Sequence, residues 1–343
     1  MVRGSGKLDN IVMFDLSGDA EALPSRAITE NEYYIGQYDT SGYALDVVLS
    51  ADGTKAYIAD ALRGLKIIDV STPSSPMFLG MYDVTAYSTN VATGWADGLA
   101  LSADGTKIYM ADGYEGLKII DVRNPTNPIL LGIYDTSAYA ESVVLSADGS
   151  KAYIACNNKG AGLRIVDISN PSNPTLLGKY TNTSVYASTK HVALSADGTK
   201  AYIADGLKGL KIIDISNSSN PTLLGRYDTS GYAIHVTLSA DGTKTFVADG
   251  YGGLYIIDIT NPTDPTLFVK FNTLSYASDV TLSSDGTKAY VVGGRFNIID
   301  ISTPSSPTLL REYKISANDM AISVDGSKAF LVNNDGLKII DIR

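Results

Sequence analysis

The chain has two histidines, His191 and His235, and both stand just before a short apolar run in a recurring pattern. At the other occurrences this place is taken by Asp46, Gly98, Ser142, Asp279 and Asp319. Imidazole and carboxylate groups converging on a small space suit a divalent transition metal, with ligand distances of about 2.0–2.2 Å for zinc. The oxygen-only subset Asp279, Asp319 and Asp46 suits calcium instead. A metal held there could activate a water for hydrolytic or lyase chemistry. In the competing reading the aspartates bond their own loops and the histidines face solvent. Direction decides between them: each side chain points either to a common axis or into a neighbouring unit. No paired general acid and base can be placed outside this set, so an enzymatic reading rests on it alone. No Gly-x-Ser-x-Gly elbow, phosphate-cradling Gly-Lys-Ser/Thr or His-x3-His pattern is present.

The elements that position these residues follow from the repeat, seen clearly in 232–261, YAIHVTLSADGTKTFVADGYGGLYIIDITN. Three short runs rich in Val, Ile, Tyr and Thr are separated by Asp-Gly and Gly-rich turns, which is the pattern of strands. The Asp-Gly dipeptide makes a tight hairpin because glycine adopts positive φ without steric cost. A fourth run follows each Pro-x-x-Pro segment. The turn aspartate recurs at Asp52, Asp104, Asp148, Asp197, Asp241, Asp285 and Asp325. The aspartate closing the third run recurs at Asp69, Asp121, Asp167, Asp214, Asp258, Asp300 and Asp341. Seven units of four strands, 40 to 52 residues apart, predict an all-β chain: a seven-bladed β-propeller of four-stranded antiparallel blades. The last unit stops after its third strand, so residues 33–39 are expected to complete it and close the ring, removing an exposed edge. Residues 1–32 form an N-terminal extension, in which 8–18 read as an extra edge strand or clasp. Residues 33–343 form the propeller.

In this ring the histidine–aspartate arc lies at the mouth of the central channel, on the face made by the fourth-to-first and second-to-third connections. The same face carries the variable residues of the second-to-third turns: Leu62 and Arg63, Tyr114 and Glu115, Asn158 and Lys159, Leu207 and Lys208, Tyr251, and Arg295. Trp95, the one tryptophan, lies in the longest connection, 83–98. Arg63, Trp95, Tyr114, Glu115, Lys159, Lys208, Tyr251 and Arg295 therefore make the candidate binding surface. Aromatic anchors and mixed charge on a rigid scaffold suit recognition of a protein or glycan ligand. The turn aspartates, by contrast, are read as turn caps.

The motif GLKIIDIS-x-P-x-x-P-x-LLG-x-YDTSGYA, followed by an apolar strand and AYIADG, resembles the LVIVD-repeat β-propeller family over residues 33–343. The resemblance implies a seven-bladed ring of the kind found in bacterial and archaeal secreted or cell-surface proteins. It implies no particular activity. The chain departs from the motif in the sixth blade, where Gly293 stands in place of the aspartate before glycine, and in the long connection before the second blade.

The net charge of −10 and the pI near 4.7 argue against nucleic acid, whose phosphates need a basic footprint, and against an anionic membrane surface. No run approaches the roughly 20 apolar residues of a membrane span. A single cysteine, Cys156, excludes an internal disulfide. Residues 1–7 read as a linker without an apolar signal core, and a native signal peptide is expected to be absent from this chain. The expectation is thus a monomeric, extracellular or cell-surface binding propeller without catalysis. A divalent metal, Zn or Ca, at the channel arc is the alternative, and a structural module within a longer surface protein is a third reading.

Overall fold

The computed structural model describes residues 34–84, 94–158, 161–183 and 188–343. Within them twenty-eight strands form seven four-stranded antiparallel sheets. Blade 1 is typical: Asp46–Leu49, Lys55–Ala59, Leu65–Asp69 and Met77–Tyr82 pair in chain order as a meander. The expected extra strand at 8–18 lies outside the described residues.

Closure follows the expected route. Tyr34–Tyr38 pairs antiparallel with Gly336–Asp341, in the register Tyr38↔Leu337 and Tyr34↔Ile340. That sheet is completed by Lys328–Asn333 and Asp319–Ile322. The earliest described strand therefore caps the N–H and C=O groups that the last strand would otherwise expose.

The core lies between blades. One apolar cluster joins Tyr57, Leu65 and Ile67 of blade 1 to Leu99, Met110 and Ile120 of blade 2. Another joins Ala44, Val47 and Ile58 of blade 1 to Phe330, Val332 and Leu337 of blade 7. Because the inner strands are covered on both faces, the sequence there reads as near-continuous Val, Ile and Tyr rather than as alternation. The glycine of the Leu-Leu-Gly motif has a packing cause. A Cβ at Gly80 would stand 2.2 Å from the carbonyl oxygen of Pro125 in the next blade, and one at Gly132 would stand 2.1 Å from that of Pro171. At Gly36, Gly80, Gly132 and Gly225 the Pro-x-x-Pro link of one blade thus seats against the fourth strand of the blade before it.

The turn aspartates behave as caps. Asp52 accepts from the Thr54 N–H at 3.0 Å and from the Ser50 hydroxyl at 2.6 Å. These bonds hold its carboxyl well below the ordinary carboxylate range. Asp69 caps the following link in the same way, accepting from the Ser71 N–H at 2.9 Å.

Candidate functional site

The first strands of the blades line the central channel, and their leading residues gather at its mouth. Leu45, Asp46, Gly98, Ser142, His191, His235, Asp279 and Asp319 all line one cavity of about 590 Å3. The arc read from the sequence is therefore assembled, but its side chains run around the ring rather than into it. Asp46 Oδ2 accepts the Leu99 N–H of the next blade at 2.6 Å, and Asp319 Oδ2 accepts the Val47 N–H at 2.9 Å. His235 Nδ1 stands 3.0 Å from Asp279 Oδ1. The rings of His191 and His235 stack with centroids 3.7 Å apart. Asp46, His191, His235 and Asp319 thus reach over the start of the neighbouring blade. At Gly98 there is no room to do so, since a Cβ would lie 2.8 Å from the Glu141 carbonyl oxygen.

Electrostatics fit this tangential arrangement. Burial pushes the Asp279 carboxyl up to about 7, and burial with the neighbouring Asp319 raises Asp46. Asp319 is raised by burial and by Asp279. Asp319 is hydrogen-bonded on one side to Asp279 and on the other to Asp46, and two carboxyl groups can bond each other only by sharing a proton. Burial also lowers both imidazoles, His235 to about 3, so the stacked pair is neutral. Among the described residues no group of three or more His, Cys, Asp or Glu is arranged to hold a metal ion. His191, His235, Asp279, Asp319 and Asp46, read in the sequence as zinc or calcium ligands, are instead turned along the ring. The direction of the side chains, set by the start of each first strand, commits their oxygens to the next blade's backbone and to one another.

A second tier, one residue earlier, faces the mouth and was missed in the sequence. Asp97, Glu141 and Lys190 line the cavity in three successive blades. Lys190 Nζ stands 2.6 Å from Glu141 Oε1, which also accepts from Asn157 Nδ2 at 2.8 Å. The Tyr139 hydroxyl faces the Asp97 carboxyl. Asp97 Oδ2 is buried with no hydrogen-bond partner, and burial pushes this carboxyl up to about 8. The signal available was three charged residues in a row at a place otherwise held by Leu45, Ile234, Ser278 and Asn318.

The loop face surrounds this mouth. Tyr114 and Tyr251 are 55% and 89% exposed at equivalent turns. Each is braced edge-on by a second tyrosine, Tyr139 at 4.9 Å and Tyr276 at 5.0 Å between centroids. Leu62 and Leu207 are exposed at the same turn position in blades 1 and 4. Arg63 is exposed, and Glu115 and Lys208 are half-buried beside it on their own turns. Trp95 is half-buried and stands at the repeat position of Tyr139, its Cβ close against Gly113. Arg295 pairs with Glu312 through Nη1, which draws it to its own blade. Lys159 lies outside the described residues.

Buried ion pairs anchor these turns, and the sequence reading did not see them. Asp60 pairs with Lys66 at 3.2 Å, Asp112 with Lys118, and Asp205 with Lys211 at 2.6 Å, all beneath second-to-third turns. In blade 3 the corresponding residues are Cys156 and Arg164, both buried, and burial pushes the Cys156 thiol up to about 12.

Comparison with known proteins agrees with this architecture. The family model for the LVIVD repeat matches six times, at residues 41–84, 94–136, 138–182, 188–229, 230–273 and 275–315. No curated protein matches the sequence. Among solved structures, the periplasmic gluconolactonase PpgL of Pseudomonas aeruginosa superposes with a TM-score of 0.67 at 12% identity, covering 88% of this chain and 89% of that one. The β-propeller domain of Cps50 (Swd1) from Myceliophteria thermophila gives 0.67 at 14% identity, over 90% of this chain and all of that one. A chain of a mitotic checkpoint complex gives 0.70 at 14% identity, over 97% and 99%. At these identities the likeness is one of fold.

Proposed function

We propose that this chain, which belongs to the LVIVD-repeat family, is a non-catalytic binding propeller that recognises a protein or carbohydrate partner through its loop face. The observation that carries the proposal is the recurrence of an exposed apolar or aromatic residue at one turn position: Leu62, Tyr114, Leu207 and Tyr251. Each sits on a turn whose ends are hydrogen-bonded, as in Arg63 N–H to the Asp60 carbonyl and Glu115 N–H to the Asp112 carbonyl. Such residues are presented with little conformational freedom to lose on binding. Large side chains on a rigid frame are what interface anchors require. The two leucines favour protein over glycan, since a glycan site would use ring faces and polar groups alone. The resemblance that implied an extracellular or cell-surface setting supports the same placement here.

The test compares the biotinylated wild type with a Tyr114→Ser/Tyr251→Ser variant on a cell-surface protein fraction and on a glycan array. A partner bound by the wild type and lost by the variant, with melting unchanged, is the expected result. Partners retained equally by both would overturn the assignment to this face.

A further inference from the structure

The channel mouth differs in chemistry from the apolar turns around it. It is a cavity of about 590 Å3, within the range of small-ligand pockets. Five carboxyl groups line it, Asp46, Asp97, Glu141, Asp279 and Asp319, against a single ammonium, that of Lys190. Lys190 is already committed to Glu141 at 2.6 Å. Asp46, Asp279 and Asp319 are committed to one another and to backbone N–H groups. Asp97 is the exception. Its carboxyl meets the Tyr139 hydroxyl, but its Oδ2 is buried with no hydrogen-bond partner among the described residues. The Ser142 hydroxyl, in the next blade, lines the same cavity at 7% exposure. Tyr232 and Tyr276 supply aromatic wall on the far side.

From this we infer that the mouth receives a primary ammonium group on a methylene stem, the lysine side chain of a partner protein, which pairs with Asp97 while its stem packs on Tyr232 and Tyr276. The inference rests on the proposed loop-face recognition, and adds which side chain of the partner enters the channel. A buried carboxyl without a counter-charge holds a proton instead, and an incoming cation takes that proton's place. A neutral hydroxyl would satisfy the orphaned oxygen without supplying the missing charge. Aromatic walls favour a cation and its aliphatic stem together.

Proton linkage makes the test specific. The charged and titratable groups facing Asp97 are Tyr139, Glu141, Lys190 and Asp112. With Asp97 at about 8, the fraction ready to pair rises about fivefold between pH 7 and pH 8, and affinity rises with it. The lysine ammonium stays charged across that interval.

The experiment is calorimetric titration of the full chain with N-acetyl-lysine methylamide and with its uncharged analogue N-acetyl-norleucine methylamide. Each titration is run at pH 7 and pH 8 in two buffers of different ionisation enthalpy. Expected are saturable binding of the lysine compound alone, release of a proton at pH 7, and affinity about fivefold higher at pH 8. Asp97→Asn should abolish the binding and the proton release. Lys190→Gln, which removes a like charge from the mouth, should tighten binding, so the proposal is tested even where Asp97→Asn fails to fold. Equal binding of both compounds, no binding of the lysine compound, or weaker binding by Lys190→Gln would each overturn it. Proton release driven by Ca2+ or Zn2+ but not by the lysine compound would assign the mouth to a metal instead. Should the lysine compound fail while Tyr114 and Tyr251 still control partner binding, only this inference falls. Should the lysine compound bind while partner binding ignores those tyrosines, the loop-face proposal falls alone.

Discussion

Lys118→Met is the sharpest test of how the loop face is held. Lys118 is 1% exposed and its Nζ pairs with Asp112, which is fully buried. The pair lies under the turn that presents Tyr114, where the Glu115 N–H bonds the Asp112 carbonyl at 2.9 Å. Methionine keeps most of the side-chain volume, so little cavity term arises and the loss is electrostatic. Removing one member of a buried pair leaves the other charge uncompensated, which costs about 3–5 kcal/mol. At roughly 2–4 °C per kcal/mol for a domain of 150–250 residues, and somewhat less for a larger one, the melting point should fall by on the order of 10 °C. Burial already raises the Asp112 carboxyl, so the orphaned group takes up a proton and the loss should be smaller at pH 5 than at pH 8. The comparison is Lys107→Met. Lys107 also stands near an aspartate, Asp104 at 3.7 Å, but both side chains reach solvent. Such a pair is worth less than about 1 kcal/mol. Urea unfolding of both variants at the two pH values measures the difference. If Lys118→Met lost no more than Lys107→Met, the buried pairs would be incidental to the turns.

Four further outcomes follow from the same geometry. Gly80→Ala places a Cβ about where the Pro125 carbonyl oxygen stands, 2.2 Å away; it should destabilise by roughly 1–3 kcal/mol as overpacking does, whereas Gly105→Ala, with open space around it, should lose only what its positive φ costs. Removing Tyr34–Tyr38 exposes the whole edge of Gly336–Asp341, and sedimentation should show more self-association than for the intact chain. Stability should be greatest at mildly acidic pH. The folded-state pKa values of Asp279 and Asp97 are raised to about 7 and about 8, so their contribution falls as pH climbs from about 4 to 8, while the depressed turn aspartates such as Asp69 lose theirs below about 4. A melting curve against pH that rises steadily to pH 8 would contradict this. Asp46→Ala leaves the Leu99 N–H without its acceptor and should cost about 1–3 kcal/mol with no dependence on added zinc or calcium, as thermal melts with and without chelator would show.

Repetition in this chain is informative about some features and misleading about others. Blade number, strand order and ring closure follow from spacing, because a four-stranded unit with an Asp-Gly hairpin cannot bury its faces except against copies of itself. The places of Tyr114 and Tyr251 on one face followed as well, since turns alternate faces along a meander. The glycine of Leu-Leu-Gly could be seen to recur, but its cause lies in the next blade, in the carbonyl of a link some 45 residues onward such as Pro125 to Gly80. The same holds for Asp60 and Lys66, a pair that the sequence displays in three repeats without revealing that its charges meet in the interior.

The candidate site divides along the same line. That His191, His235, Asp279, Asp319 and Asp46 share one position was determined by the sequence alone, because position in a repeat is a count along the chain. Which way those side chains point was decided only by the tertiary structure. At the start of a first strand, the backbone N–H of the neighbouring blade, such as that of Leu99 against Asp46, is within reach and needs an acceptor. The residues that do face the mouth, Asp97, Glu141 and Lys190, stand one place earlier. In a strand a single step turns a side chain to the opposite face, so the position that a repeat makes conspicuous and the position that meets a ligand differ by one residue.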